Sequence, residues 1–73
     1  MAVRQKLVDF RGQHTQAEMA DRYHVSQQAW CKWENGKALP EAATMLQLEK
    51  DSGVPMEELF FDKFNNKTSL NPI

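Results

Sequence analysis

TQAEMADRYHVSQQAWCKWENGK, residues Thr15 to Lys37, reads as two short helices joined by a tight turn. Met19, Ala20 and Tyr23 keep the three-to-four-residue helical period, and Trp30 and Trp33 resume it after a break. Thr15 precedes Glu18 by three residues, the capping-box spacing in which a hydroxyl and a carboxylate satisfy the free amides of a helix start. The spacing therefore predicts a second helix of the chain beginning near Gln16 and stopping at Tyr23-His24. Val25-Ser26 then supplies a new start, with Ser26 as N-cap and Val25 as an apolar staple. A third helix runs from about Gln27 to Glu34 and closes at Asn35-Gly36, residue types that accept the left-handed conformation common at helix ends.

With Ala29, Trp30 and Trp33 turned inward, the opposite surface of the third helix carries Gln27, Gln28, Cys31, Lys32 and Asn35. That face has one cation and no carboxylate, so it tolerates a polyanion. A glutamine amide both donates and accepts, which matches adenine N6 and N7 as a two-point contact. The N-terminal end of a helix lying in the major groove is where side chains reach bases. Lys32, one turn beyond Gln28, has the reach for guanine or a phosphate. Asn35, the Gly36 amide and Lys37 stand where the sugar-phosphate strand would pass the helix end, a contact that positions without reading sequence. The bland reading of Gln27-Gln28, a solvated polar pair, is weaker inside this pattern than alone. Trp30 and Trp33 read as core residues rather than base-stacking ones, and Cys31 as a rim thiol without chemistry.

At these residues the chain resembles the Cro/CI-like helix-turn-helix regulators, also called the XRE family. The matching residues are Gln16 opening the second helix, Ala20 at the small position under the crossing, Val25-Ser26 in the turn, Gln27-Gln28 at the start of the third helix, and Trp33-Glu34-Asn35-Gly36 closing it. Downstream, Pro40 to Val54 resembles the family's fourth helix and Pro55 to Phe60 its closing helix, so the likeness runs from Val3 to about Phe64. The resemblance implies an all-α fold: a compact five-helix lambda-repressor-like DNA-binding domain at 1–64, with the helix-turn-helix formed by helices two and three. It implies sequence-specific binding of a palindromic operator in double-stranded DNA by a homodimer, as in prophage- or plasmid-type repressors. Carried over by position, Gln27, Gln28 and Lys32 contact bases, and Gln16, Asn35, Gly36 and Lys37 contact the backbone. Glu34 pairs with an Arg of the first helix, here Arg11.

Three positions depart from the family pattern. His24 takes the turn position usually held by Gly and must either adopt a positive φ or let the turn differ. Trp30 stands where Ile or Val is usual and needs extra room, above Ala17 and Ala20, or partial exposure. The connection Gly12-Gln13-His14 is shorter than usual and lacks its common apolar residue.

A chain of 73 residues holds one small domain, with no volume for a separate effector or catalytic domain, so no small-molecule effector is expected. One cysteine excludes an internal disulfide, and two histidines give no zinc-ligand spacing, so no metal or cofactor is expected. No apolar run approaches a membrane span and no signal-peptide core is present, which points to the cytoplasm and the nucleoid. The formal net charge of −1 is low for a nucleic-acid binder, but it is unevenly spread. Residues 1–40 carry six Lys/Arg against four Asp/Glu, whereas 41–73 carry three against six. The cationic half is the one with the third helix. No serine-histidine-aspartate cluster, paired carboxylates or phosphate-binding glycine loop suggests an enzyme.

The first helix should span Val3 to Arg11, burying Val3, Leu7 and Phe10, with Gly12 ending it. The fourth follows Pro40 and buries some of Met45, Leu46 and Leu48, with Ala42 and Ala43 packed close, until Asp51-Ser52-Gly53 stops it. The fifth follows Pro55 and offers Met56, Leu59, Phe60 and Phe64. The expected core is Leu7, Phe10, Ala20, Val25, Trp30, Trp33, Leu46 and Leu59. Residues 65–73 read as a loosely ordered tail. The Leu59-Phe60-Phe61 run serves either the core or a dimer seam. The acidic second half and this aromatic end keep open an alternative: a protein-interaction module on the same fold, an antitoxin or adaptor with weak or no DNA binding.

Overall fold

The computed structural model describes residues 3–64. The expected tail at 65–73 lies outside the described residues, and so does the side chain of Phe64. The described residues are all helical in their regular structure: α1 (Gln5–Arg11), α2 (Gln16–Arg22), α3 (Gln27–Glu34), α4 (Ala42–Ser52), α5 (Met56–Leu59) and α6 (Phe61–Phe64).

The local chemistry accounts for most of these boundaries. The Thr15 hydroxyl accepts from the Glu18 amide at 3.0 Å while the Glu18 carboxylate accepts from the Thr15 amide at 2.8 Å, closing the capping box at the head of α2. Ser26 caps α3 by accepting from the Ala29 amide at 3.1 Å. The two helices then end in the same way. After α2 the Val25 amide donates to Ala20 O at 2.9 Å and the His24 amide to Asp21 O at 3.2 Å. After α3 the Lys37 amide donates to Lys32 O at 2.9 Å and the Gly36 amide to Trp33 O at 3.4 Å. Both are Schellman turns, which place one residue in the left-handed region. Gly36 meets that requirement at φ 76°, and His24 meets it at φ 60° as the only non-glycine with positive φ among the described residues. The turn thus keeps its standard hydrogen bonds, and His24 carries the strain that a Cβ brings to this region.

One or two residues from each of α1–α5 build the core: Leu7, Met19, Ala20, Trp30, Trp33, Leu48 and Leu59, closed by Phe60. Trp30 is wholly buried, so partial exposure is not used; it shares the core cluster with Ala20, whereas Ala17 is exposed. Its cover is the Tyr23 ring, stacked at 5.7 Å between centroids with 19° between planes, with Trp33 tilted against it at 5.4 Å. Such aromatic pairs add about 0.5–1.5 kcal/mol beyond the area they bury. Phe10 and Val25 are half-buried and pack on the edge of this cluster.

Several expected positions are corrected. Leu46 is 47% exposed and is not core. At about 100° per residue, Leu46 lies about 160° around the helix from Leu48, whereas Thr44, Met45 and Ser52 lie within about 60° of it. Those three are partly buried, and Ala42 and Ala43 are exposed. Helix α1 starts at Gln5 rather than Val3: Arg4, at φ −77° and ψ 85°, lies outside the helical region with its amide donating to Glu34 O at 2.7 Å, and Val3 is 45% exposed. The single closing helix is two short ones: Phe60, at φ −121° and ψ 45°, breaks the helical path and turns its ring into the core.

Candidate nucleic-acid interface

Helix α3 presents two different sides. Trp30, Trp33 and Glu34 are buried, while Gln27, Gln28 and Lys32 are exposed. Gln28 and Lys32 both lie about 160° around the helix from Trp30, on opposite sides of the outward direction, so they share the face turned away from the core. Gln27 stands at the first residue of the helix, next to the Ser26 cap.

Gln16, Gln27, Gln28 and Cys31 line one shallow cleft of about 420 Å³ between the start of α2 and the outer side of α3. The structure therefore brings together three of the expected contact residues, Gln16, Gln27 and Gln28, along with the thiol. Gln16 is half-buried and its Nε2 donates to Glu34 Oε1 at 2.9 Å, which leaves its carbonyl oxygen for other partners. Asn35 is also half-buried, and its Nδ2 donates to Cys31 Sγ at 3.3 Å. The Gly36 and Lys37 amides are engaged in the Schellman turn, so of this segment it is the exposed Lys37 side chain that stands free for a phosphate. Neither Lys32 nor Lys37 has an ion pair among the described residues.

Behind this face lies a satisfied polar network centred on Glu34, which is 3% exposed. Its Oε2 accepts from Arg11 Nε at 2.6 Å and Trp30 Nε1 at 2.6 Å, and its Oε1 accepts from Arg11 Nη2 at 3.2 Å and Gln16 Nε2 at 2.9 Å. Burial by itself pushes the carboxyl up, but the bonds from Arg11, Gln16 and Trp30 outweigh it and hold Glu34 below the usual carboxylate range. The Arg11 guanidinium, bonded to that carboxylate, is raised in turn. Arg11 Nη1 also donates to His14 O at 3.2 Å, which ties down the short connection between α1 and α2.

A second polar cluster has no counterpart in the sequence reading. Arg4 is 3% exposed. Its Nη1 donates to Trp33 O at 2.8 Å and Ala38 O at 2.7 Å, and its Nε and Nη2 hold both carboxylate oxygens of Asp62 at 2.7 and 3.0 Å. The guanidinium carbon sits 5.1 Å from the centre of the Phe60 ring. No local pattern marks an arginine at a helix start as buried; the partners that bury it are 29 to 58 residues away. Tyr23, read only as part of the helical period of the second helix, also donates from its hydroxyl to Asp51 at 2.6 Å.

Among the described residues no buried side-chain nitrogen or oxygen lacks a partner, no group of three or more His, Cys, Asp or Glu is placed to hold a metal, and no helix is long and apolar enough to cross a membrane. Compared with known protein families, curated proteins and solved structures, the chain matches none.

Proposed function

We propose that this protein binds double-stranded DNA sequence-specifically, with α2 and α3 as its helix-turn-helix, and regulates transcription as a prophage- or plasmid-type repressor in the cytoplasm. The observation that carries this reading is the outer face of α3. Gln27, Gln28 and Lys32 project into solvent from the leading end and middle of a helix whose one carboxylate is turned inward and paired. Glutamine amides offer two-point contacts to adenine edges, and Lys32 reaches guanine or a phosphate. Lys37, just past the helix end, grips the backbone. Two such domains related by a twofold axis would set their third helices in major grooves about 34 Å apart. With few cations directed at phosphates, non-specific affinity is modest and base contacts carry the selectivity.

Selection from a pool of random duplexes at moderate salt tests the proposal. The expected result is an enriched palindrome whose half-site spacing reports the dimer. Gln28→Ala then costs about 1–3 kcal/mol at that site and relaxes preference at one or two positions, whereas Lys37→Ala weakens all sequences alike. An unenriched pool refutes the reading. It favours the adaptor alternative, for which the exposed Leu46 and Phe61, 47% and 43% accessible, are the supporting feature.

A further inference from the structure

The segment Asn35-Gly36-Lys37 is clamped at both of its ends by one buried side chain. Arg4 Nη1 bonds Trp33 O on the α3 side and Ala38 O on the far side, and the Arg4 amide bonds Glu34 O between them. The other edge of the same guanidinium is held by both oxygens of Asp62 in α6, with Phe60 beneath it. A planar guanidinium makes all four of these bonds at once, to two carbonyls and both carboxylate oxygens, whereas an ammonium has only three donors and no planar fork. Nothing in the DNA-binding reading requires this arrangement, because Arg4 is buried and unavailable to a phosphate.

We propose that Arg4 is a positioning residue: it fixes the turn that presents Lys37 and anchors it to the C-terminal helix, so that the phosphate grip of Lys37 depends on the Arg4–Asp62 bond. The proposal rests on the DNA-binding reading. Its physical basis is that one of the two Schellman bonds is long, Gly36 to Trp33 O at 3.4 Å, so the turn is held within itself mainly by the Lys37 amide on Lys32 O at 2.9 Å. Arg4 makes the shorter bond to the same carbonyl, at 2.8 Å, and adds Ala38 O. Removing it releases the Trp33 and Ala38 carbonyls and leaves Lys37 held by its amide on Lys32 O alone, which widens the range of positions its ammonium takes relative to a fixed phosphate.

The test is a two-by-two cycle of Arg4→Lys and Lys37→Ala on the enriched duplex, with affinity read against salt, together with amide hydrogen exchange on the free protein. In the wild-type background Lys37→Ala is expected to cost about fivefold near physiological salt and to lower the salt slope by about one, as for one released counterion. Arg4→Lys is expected to lower the slope by the same amount without changing the enriched motif, and to reduce the further cost of Lys37→Ala to less than about twofold. The Lys37 amide exchanges faster in Arg4→Lys, which reports the loosened turn without DNA. Asp62→Asn, which leaves the two carbonyl bonds in place, gives the same direction with smaller size and serves if Arg4→Lys does not fold. An undiminished cost of Lys37→Ala in either background, or a lowered melting temperature with an unchanged salt slope, overturns this proposal and leaves DNA binding standing. A wild-type protein that enriches no duplex overturns both.

Discussion

Replacing Arg11 with Met removes the cation from the buried carboxylate while keeping most of the aliphatic stem. In the wild type, Glu34 is 3% exposed and holds four hydrogen bonds, two of them from Arg11 at 2.6 and 3.2 Å. Arg11→Met leaves the Trp30 and Gln16 bonds in place but strands a negative charge among aromatic rings. Removing one partner of a buried ion pair costs about 3–5 kcal/mol. Arg11 retains 22% side-chain exposure, so water reaches the vacated position and we place the loss at or just below the bottom of that range, at about 2–3 kcal/mol. In a domain of this size that lowers the melting temperature by roughly 10–20 °C. The pH dependence identifies the cause. Glu34 is held below its unfolded value in the wild type, so its contribution is complete above the ordinary glutamate pKa near 4.3 and is lost as pH falls through the folded value. Without Arg11, burial is opposed only by the Gln16 and Trp30 bonds, and the folded value moves up. The difference between the two proteins in urea unfolding should be largest at neutral pH and shrink steadily on acidification, as Glu34 takes up a proton and no longer needs a cation. A difference that stays constant from neutral pH to below the glutamate range would show that lost packing, not an uncompensated charge, sets the cost.

His24→Gly should stabilise the protein by about 0.5–1 kcal/mol in chemical unfolding, because a glycine adopts φ 60° without the Cβ clash; a loss would show that the imidazole makes a contact outweighing the strain. Leu48→Ala should cost about 2–5 kcal/mol and Leu46→Gln less than about 0.5 kcal/mol, since Leu48 is fully buried and Leu46 is 47% exposed; the reverse order would place the inner face of α4 wrongly. Tyr23 should ionise above the usual tyrosine value in ultraviolet titration, because burial and the bond to Asp51 both favour the neutral phenol, and Tyr23→Phe should bring the Asp51 carboxyl back toward its ordinary value.

The parts legible in the sequence are those decided by short-range chemistry. Thr15 and Glu18 mark one helix start, Ser26 another, and Asn35-Gly36 a stop, because each acts on backbone groups within a few residues. The inward placement of Trp30 and Trp33 follows from their spacing. What stayed hidden depends on which stretch of surface a distant element covers. Leu46 and Leu48 are equally apolar, and only the docking of α4 against α5 decides that the arc of Thr44, Met45, Leu48 and Ser52 faces in. Phe60 could not be told from a helical core residue, since the bend that turns it inward is fixed by the core it enters. Arg4 was illegible for the same reason: its charge is met by a carboxylate 58 residues later and by carbonyls that exist only once α3 has ended beside it. The Arg11–Glu34 contact, by contrast, was anticipated by resemblance and not by any spacing within the chain.

The inward turn of Glu34 bears on more than stability. It is the only carboxylate of α3, and at the surface of that helix it would repel a phosphate strand passing Lys32 and Lys37. Buried ion pairs are seldom better for stability than well-packed apolar residues. What the arrangement does achieve is electrostatic. The acid is neutralised by Arg11 behind the helix, and its remaining lone pairs accept from Trp30 within α3 and from Gln16 at the head of α2, the second of which ties the two helices together. The outer face is left with Lys32 as its one formal charge beside the amides of Gln27 and Gln28. Under the proposed function, Arg11→Met therefore weakens DNA binding through two routes, a negative charge left uncompensated behind the contact face and the loss of the tie from α1 to the end of α3. The two separate by salt: the charge effect fades as ionic strength rises and the geometric effect persists.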